Sequence, residues 1–243
     1  MATGNEKEKD RKHDGGDEPP GEFSSSPCYL HEFEQGFTGS GEPRPMAWSA
    51  VRKWRREQRR RLQDLRREMS PTDRSRADRA ILENIEAAGI LNAVDTGIYW
   101  PLRGEFDSRP LMRRVQEVGG RVCIPVIVAP DTPLEFWYWD GHAQVRARGP
   151  RDIPAPPERR VEAPVILFIP LLGFDTDSHR LGNGGGYFDR TLANMNPRPT
   201  TIGIGYGLGR VETIFPQRHD IALDAIVTEQ GFAWRAPDAD TKE

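Results

Sequence analysis

The amino-acid sequence predicts an α/β protein, a mostly parallel, twisted sheet covered by helices and preceded by a helical hairpin. Three observations carry this expectation. Strand-like and helical patterns alternate from residue 95 to residue 229, the order that builds parallel sheets with helical connections. The run APVILFIP, residues 163–170, is apolar without interruption, as a strand buried on both faces must be. Residues 48–89 place apolar side chains at three-and-four spacing and carry start and stop signals for a second helix.

The first helix is expected from Trp48, with Val51, Trp54, Leu62, Leu65 and Met69 on its apolar side. Its other faces are basic: nine Arg or Lys stand against two acids between Arg52 and Arg67, and most of them read as a solvated face. Ser70, Pro71 and Asp73 form an N-cap, an N1 proline and a weak capping box for a helix through Ala77, Ala80, Ile81 and Ile85, which Gly89 stops. TGIYW (96–100) is the first strand, and RPLMRRVQEV (109–118) is a helix closed by Gly119 and Gly120. RVCIPVIV (121–128) is the next strand, and LEFWYW (134–139) an antiparallel or edge strand. Proline excludes GPRDIPAPPERR (149–160) from a central strand or a helix interior. After the run at 163–170, TIGIGY (201–206) and DAIVTE (224–229) complete the sheet.

These elements form a single domain over 48–231, with no internal repeat. Residues 1–47 are an extension whose first 22 residues are polar, charged and rich in Gly and Pro, a composition expected to stay disordered. Tyr29, Leu30, Phe33 and Phe37 read as an arm docked on the domain. Cys28 and His31 have a metal-like spacing without a second pair of ligands. Residues 232–243 are expected to be a flexible tail. No apolar run approaches the ~18 residues of a membrane span, and the N-terminus lacks the hydrophobic segment of a secretory signal. A cytoplasmic location, reduced thiols at Cys28 and Cys123 and a monomer are the expectations. A formal net charge of −3 gives no case for nucleic-acid or membrane partners.

The candidate chemistry lies in RLGNGGGYFDR, residues 180–190, with four glycines within five positions. A glycine-rich turn entering a helix offers unobstructed N–H groups at a positive dipole end, the ingredients of a phosphate cradle. Arg180 and Arg190 would add fixed charge there, and Asp189 could hold a magnesium ion. The same residues could equally form a hinge, with Arg180 and Asp189 paired on the surface; spacing does not decide between the two. The segment is neither a P-loop, lacking Gly-Lys-Ser/Thr, nor a dinucleotide fingerprint.

LLGFDTDSHRLGNGGGYFDR (171–190) resembles the signature of the 5-formyltetrahydrofolate cyclo-ligases, also called 5,10-methenyltetrahydrofolate synthetases. WRREQRRRLQDLRREMSPTDR (54–74), IYWPLRGEFDSRPLM (98–112), RVCIPVIV and residues 201–231 occur in the family's order, so the resemblance spans about Trp48 to Gly231. It implies a three-layer α/β/α fold and an ATP- and Mg²⁺-dependent cyclisation of 5-formyltetrahydrofolate to 5,10-methenyltetrahydrofolate. In that reaction the formyl oxygen is phosphorylated, N10 attacks the activated carbon and phosphate departs. By the same resemblance, Arg180 and the loop Gly182, Asn183, Gly184, Gly185 and Gly186, with Tyr187, Phe188 and Asp189, hold ATP. Tyr187 borders the folate pocket, Glu105 grips the pterin ring, and Asp189 and Asp220 ligate Mg²⁺. Arg55 and Arg59 have the four-residue spacing of the family's phosphate-reaching pair on the first helix, with Arg52 or Lys53 as alternatives. Read from the residues alone, Glu105 is a loop acid and Asp220 caps a turn before the last strand.

The sequence departs from the family pattern where Phe188 replaces a tyrosine, where Gly209 falls on or near a glutamine position, and in DIPAPP, which lacks a glutamate. A diverged ATP-dependent ligase acting on a related non-folate compound, or a non-catalytic nucleotide-binding protein, are the alternative functions.

Overall fold

The structure is a computed structural model that describes residues 47–234 apart from 103, 150 and 151. The expected disordered start, the docking arm and Cys28 with His31 lie outside the described residues.

Helices α1 (Trp48–Glu68) and α2 (Pro71–Ala87) form the expected hairpin. Ser70 caps α2 by accepting the Asp73 N–H at 3.1 Å, and Gly89 leaves the helix at φ +63°. Then follow β1 (Asp95–Ile98), α3 (Arg109–Glu117), β2 (Arg121–Val126), β3 (Glu135–Trp139), β4 (Arg146–Arg148), β5 (Ile153–Ala155) and β6 (Ile166–Pro170). The chain continues through β7 (Gly173–Phe174), β8 (Arg180–Leu181), α4 (Tyr187–Asn194), β9 (Thr200–Ile204), β10 (Ala225–Thr228) and β11 (Gly231–Trp234).

One seven-stranded sheet runs in the order β11-β10-β9-β6-β1-β2-β3. Its five inner strands pair in parallel, and β3 and β11 close the edges antiparallel. The uninterrupted apolar run is β6, the middle strand. The proline-rich connection keeps Pro154 in the small β4–β5 ribbon, outside this sheet. β11 extends to Trp234 by pairing with β10, so regular structure passes the expected domain end at residue 231.

Side chains alternate along the strands and sort into two cores. Val122, Ile124, Ile166, Phe168, Ile202 and Val227 meet α2 and α3 through Ile81, Ile85, Leu111 and Met112. Cys123, Leu167, Ile169 and Ile226 point the other way, to Leu192 of α4. This period-2 division is what makes the three layers. Gly97 lets the α4-side core approach the backbone, since a Cβ there would lie 2.3 Å from Leu167 Cδ2.

Helix α1 belongs to neither layer. Leu62 packs on Leu172, Leu181 and Ile214, all in segments beyond the carboxyl end of the central strand. Ligands bind at that end in open α/β sheets. Val51, Arg55, Leu62 and Arg66 are the buried residues of α1, so the face that meets the domain carries guanidinium groups as well as the expected Val51 and Leu62. Trp54 is half-buried, edge-on to Phe215 at 5.0 Å. Among the described residues no helix is long and apolar enough to cross a membrane.

Candidate active site

The β7–β8 hairpin delivers the glycine loop. Its turn is pinned by the buried Asp175, whose carboxylate accepts the N–H groups of Asp177, His179 and Ile214 at 3.1, 2.9 and 3.2 Å. Residues 182–186 then lead into α4. Gly184 at φ +92° and Gly186 at φ +62° occupy backbone conformations that disfavour other residues. A Cβ at Gly182 would meet nothing within 4 Å. At Gly184 it would lie 3.3 Å from the Arg59 guanidinium carbon, and at Gly186 2.9 Å from an Arg190 nitrogen. The main chain is therefore open to solvent, with Asn183, Gly184 and Gly186 exposed, and two arginines approach it.

Those arginines bind the loop's carbonyls. Arg59 Nε donates to Gly182 O at 2.8 Å, and Arg190 Nη2 donates to Gly185 O at 2.7 Å while its guanidinium stacks 5.0 Å from the Tyr187 ring. The Arg59 side chain makes no other hydrogen bond and no ion pair among the described residues. Burial lowers its pKa, the neighbouring charge of Arg55 lowers it further, and Asp220 only partly opposes them. Arg59 is thus a desolvated cation that meets no acidic side chain among the described residues.

Arg180 and Arg55 already have acidic partners. The largely buried Arg180 donates to Ile221 O at 2.9 Å, and its Nη2 lies 2.8 Å from Asp189 Oδ1, out of line for a hydrogen bond. Asp189 Oδ1 accepts the Ile221 N–H at 3.1 Å; its Oδ2 makes no hydrogen bond among the described residues. Arg55 grips both oxygens of Asp220, at 3.2 and 2.5 Å, and the carbonyls of Ile214 and Phe215 at 3.0 and 2.9 Å. Burial would raise the Asp220 pKa, but the Arg55 bonds and charge and the Gln217 N–H outweigh it, and the value is lowered. Asp189 and Asp220 thus meet at one segment, each against its own arginine. No cluster of three or more metal-ligating side chains occurs among the described residues.

Glu105 sits across the loop. Its Oε2 accepts the Leu102 N–H at 3.0 Å, and its Oε1 accepts Asn183 Nδ2 at 3.4 Å, tying it to the glycine turn. Burial raises its pKa against the Leu102 bond, the Arg66 charge and the Asn183 bond. Arg66 faces the Tyr206 ring at 5.4 Å, and the Tyr206 hydroxyl donates to Asp78 Oδ1 at 2.6 Å.

The fold therefore gathers Arg55, Arg59, Arg180, Glu105, Asp189, Asp220 and the glycine loop beyond the carboxyl ends of the parallel strands. Phe188 packs into the α4-side core beside Leu192, an apolar setting for the ring that stands where the family has a second tyrosine. Gly209 is buried, and a Cβ would lie 2.5 Å from Leu172 O, so no side chain fits there. Arg66, Tyr206 and Asp78 were not singled out by the sequence reading. A signal existed for Arg66, because positions 51, 55, 59, 62 and 66 fall within about 80° of helix arc, at 100° per residue.

A family model described as the 5-formyltetrahydrofolate cyclo-ligase family matches residues 51–229. The 5-formyltetrahydrofolate cyclo-ligase of Escherichia coli (strain K12) is 30% identical over 151 residues, 57% of this chain and 80% of that protein. The enzyme of that name from Haemophilus influenzae is 28% identical over 147 residues, 54% and 73% of the two chains. The NMR structure of Aquifex aeolicus 5,10-methenyltetrahydrofolate synthetase shares the fold, with a TM-score of 0.63 at 23% identity over 78% of this chain and 96% of that one. The Mycoplasma pneumoniae 5,10-methenyltetrahydrofolate synthetase follows at 0.58 and 22%, over 72% and 98%.

Proposed function

The chain belongs to the 5-formyltetrahydrofolate cyclo-ligase family, and from that premise we propose that it converts 5-formyltetrahydrofolate to 5,10-methenyltetrahydrofolate with ATP and Mg²⁺, releasing ADP and phosphate. The observation that carries the nucleotide half is Arg59, a half-buried guanidinium with one acceptor among the described residues, set against an open glycine backbone. A triphosphate would supply an anion for it, and charge-assisted bonds to phosphate are strong.

Arg59, the N–H groups of residues 182–186 and the first turn of α4 receive the phosphates, and Arg180 holds Asp189 in place beneath them. Glu105 takes the amino-pyrimidine edge of the pterin with Tyr187 at the pocket's border, and Asn183 couples the two halves through its bond to Glu105. The formyl oxygen attacks the γ-phosphorus as the bond to ADP breaks. N10 then adds to the formyl carbon and gives up its proton, which the departing phosphate or solvent takes, and phosphate leaves with the electrons of the C–O bond to give the methenyl bridge. Such chemistry asks the protein for positioning and charge neutralisation rather than a nucleophile.

Mg²⁺ would neutralise phosphate oxygens, a role in which the ion needs only one or two protein carboxylates. The donor set fits through Asp189 Oδ2. Asp220 could join only by giving up Arg55, and Arg55 could reach a phosphate only by the same exchange; in this arrangement Arg55 braces the 214–220 loop.

The test is the absorbance of the methenyl product when the protein meets 5-formyltetrahydrofolate, ATP and Mg²⁺, run beside a thermal shift with Mg-ATP, where binding stabilises by RT ln(1 + [L]/Kd). Nucleotide stabilisation without folate turnover would refute the substrate. Absence of both would refute the reading altogether. Phe188 and Gly209, two of the three departures that suggested a non-folate substrate, are taken up by packing; the third, DIPAPP, still separates this chain from the family pattern.

A further inference from the structure

We propose that Phe215, held in a strained backbone conformation, is a positioning residue: it poises residues 215–220 to release Asp220 from Arg55 to the metal when Mg-ATP binds. The proposal rests on the assignment of Mg-ATP to this site given above.

Phe215 has φ +53°, in the left-handed region. A bulky side chain seldom adopts it, and Pro216 confines the residue before it to extended backbone. Strain of this kind persists only where the surroundings over-determine it. Here the Phe215 N–H donates to Thr213 Oγ1 at 2.9 Å, and its carbonyl accepts Arg55 Nη2 at 2.9 Å and Gln217 Nε2 at 2.8 Å. Its ring stands edge-on to Trp54, 5.0 Å between centroids.

Both ends of this segment are fixed to the hairpin that carries the glycine loop. Before it, the Ile214 N–H donates to the buried Asp175. After it, Asp189 and Arg180 hold the main chain of Ile221, and the Leu223 N–H donates to Ser178 O at 3.0 Å. Between these anchors the Asp220 carboxylate closes a turn on the Gln217 N–H at 2.7 Å, and Arg55 joins that turn to α1. His219 adds an edge contact to Trp48 at 5.7 Å. Residues 215–220 are thus a strap that can shift as one piece while the glycine loop keeps its place.

One exchange releases the strain. A triphosphate attracts Arg55 and a magnesium ion attracts Asp220, and neither side chain can answer while it holds the other. A ligand shifts an equilibrium only by what it gains in one state over the other. Here that gain is two charged contacts together with relaxation at Phe215.

The experiment compares Phe215→Ala with Phe215→Gly. Isothermal titration reads Mg-ATP affinity, melting without nucleotide reads stability, and the tryptophan emission of the unaltered chain and of Trp54→Phe reads the strap. Both substitutions at 215 remove the ring, but alanine keeps the left-handed strain and glycine relieves it. Phe215→Gly is expected to melt higher than Phe215→Ala yet bind Mg-ATP at least about fivefold more weakly. A merely structural residue does not move stability and affinity in opposite directions. In the unaltered chain Mg-ATP changes the emission, and Trp54→Phe loses most of that change. If the Phe215 variants do not fold, the two emission measurements carry the test. Equal affinities in folded Phe215→Ala and Phe215→Gly overturn the proposal, and so does Mg-ATP binding that leaves the emission unchanged or changes it as much in Trp54→Phe. An unaltered chain that takes up no Mg-ATP overturns instead the reading beneath it.

Discussion

Replacing Arg59 with methionine isolates the claim that the glycine loop and α1 together receive a polyphosphate. The methionine keeps most of the stem volume and removes the charge. In the free protein the loss is one bond to Gly182 O, at 2.8 Å, worth about 0.5–1.5 kcal/mol. Relief of the desolvation that lowers the Arg59 pKa offsets part of it, so stability should stay within about 1 kcal/mol of the unaltered chain. With nucleotide bound, the loss is larger. One or two charge-assisted bonds at about 1.5–3 kcal/mol each, taken as about 3 kcal/mol net, weaken binding roughly 150-fold at 1.4 kcal/mol per tenfold. Isothermal titration with Mg-ATP reads the affinity, and calorimetric melting reads the fold. Arg59→Lys, which keeps the charge but not the planar fork, should fall between the two. An Arg59→Met protein that melts normally and binds Mg-ATP within threefold of the original would refute the reasoning.

Three other outcomes are expected. Gly209→Ala should destabilise the domain by about 1–3 kcal/mol, because its Cβ would press on the Leu172 carbonyl rather than on a mobile side chain; unchanged thermal unfolding would contradict this. Glu105→Gln should lose folate binding yet melt no lower than the original at neutral pH. A carboxyl whose folded pKa is raised costs stability once pH exceeds both its unfolded and folded values, and glutamine removes that cost. Melts between pH 5 and 8 test the sign. Asp220 is the opposite case: its lowered pKa contributes stability above its unfolded value of about 4 that is lost as pH falls through the folded value. Arg55→Met, which leaves Asp220 a buried unpaired charge, should therefore cost about 3–5 kcal/mol at pH 7, with the deficit narrowing in acid as the carboxyl takes up a proton. A deficit independent of pH would show that Arg55 acts through its carbonyl bonds alone.

The elements and their order were legible in the sequence because their causes are local. Ser70 with Pro71 and Asp73 starts a helix whatever it packs on, and an apolar run such as 163–170 has only the middle of a parallel sheet to go to. The glycine loop was legible for the same reason, since positive φ at Gly184 and Gly186 is a property of a few neighbouring residues. Which of the nine basic residues between Arg52 and Arg67 turn inward was not, because arginine tolerates both surroundings: its stem packs and its head finds carbonyls or carboxylates.

By itself, then, the sequence determined an α/β chain with an open glycine turn ahead of a short helix, and a resemblance that proposed what the turn holds. Tertiary structure alone decided that Asp220 faces Arg55 across 165 positions, that Arg59 meets the Gly182 carbonyl and no acidic side chain among the described residues, and that Arg66 turns inward onto the carbonyls of Leu171 and Leu172. The physical reason is range. Backbone preference and periodicity act over a few residues, while ion pairing and desolvation depend on which distant segments the packing of Leu62 on Leu172, Leu181 and Ile214 brings together.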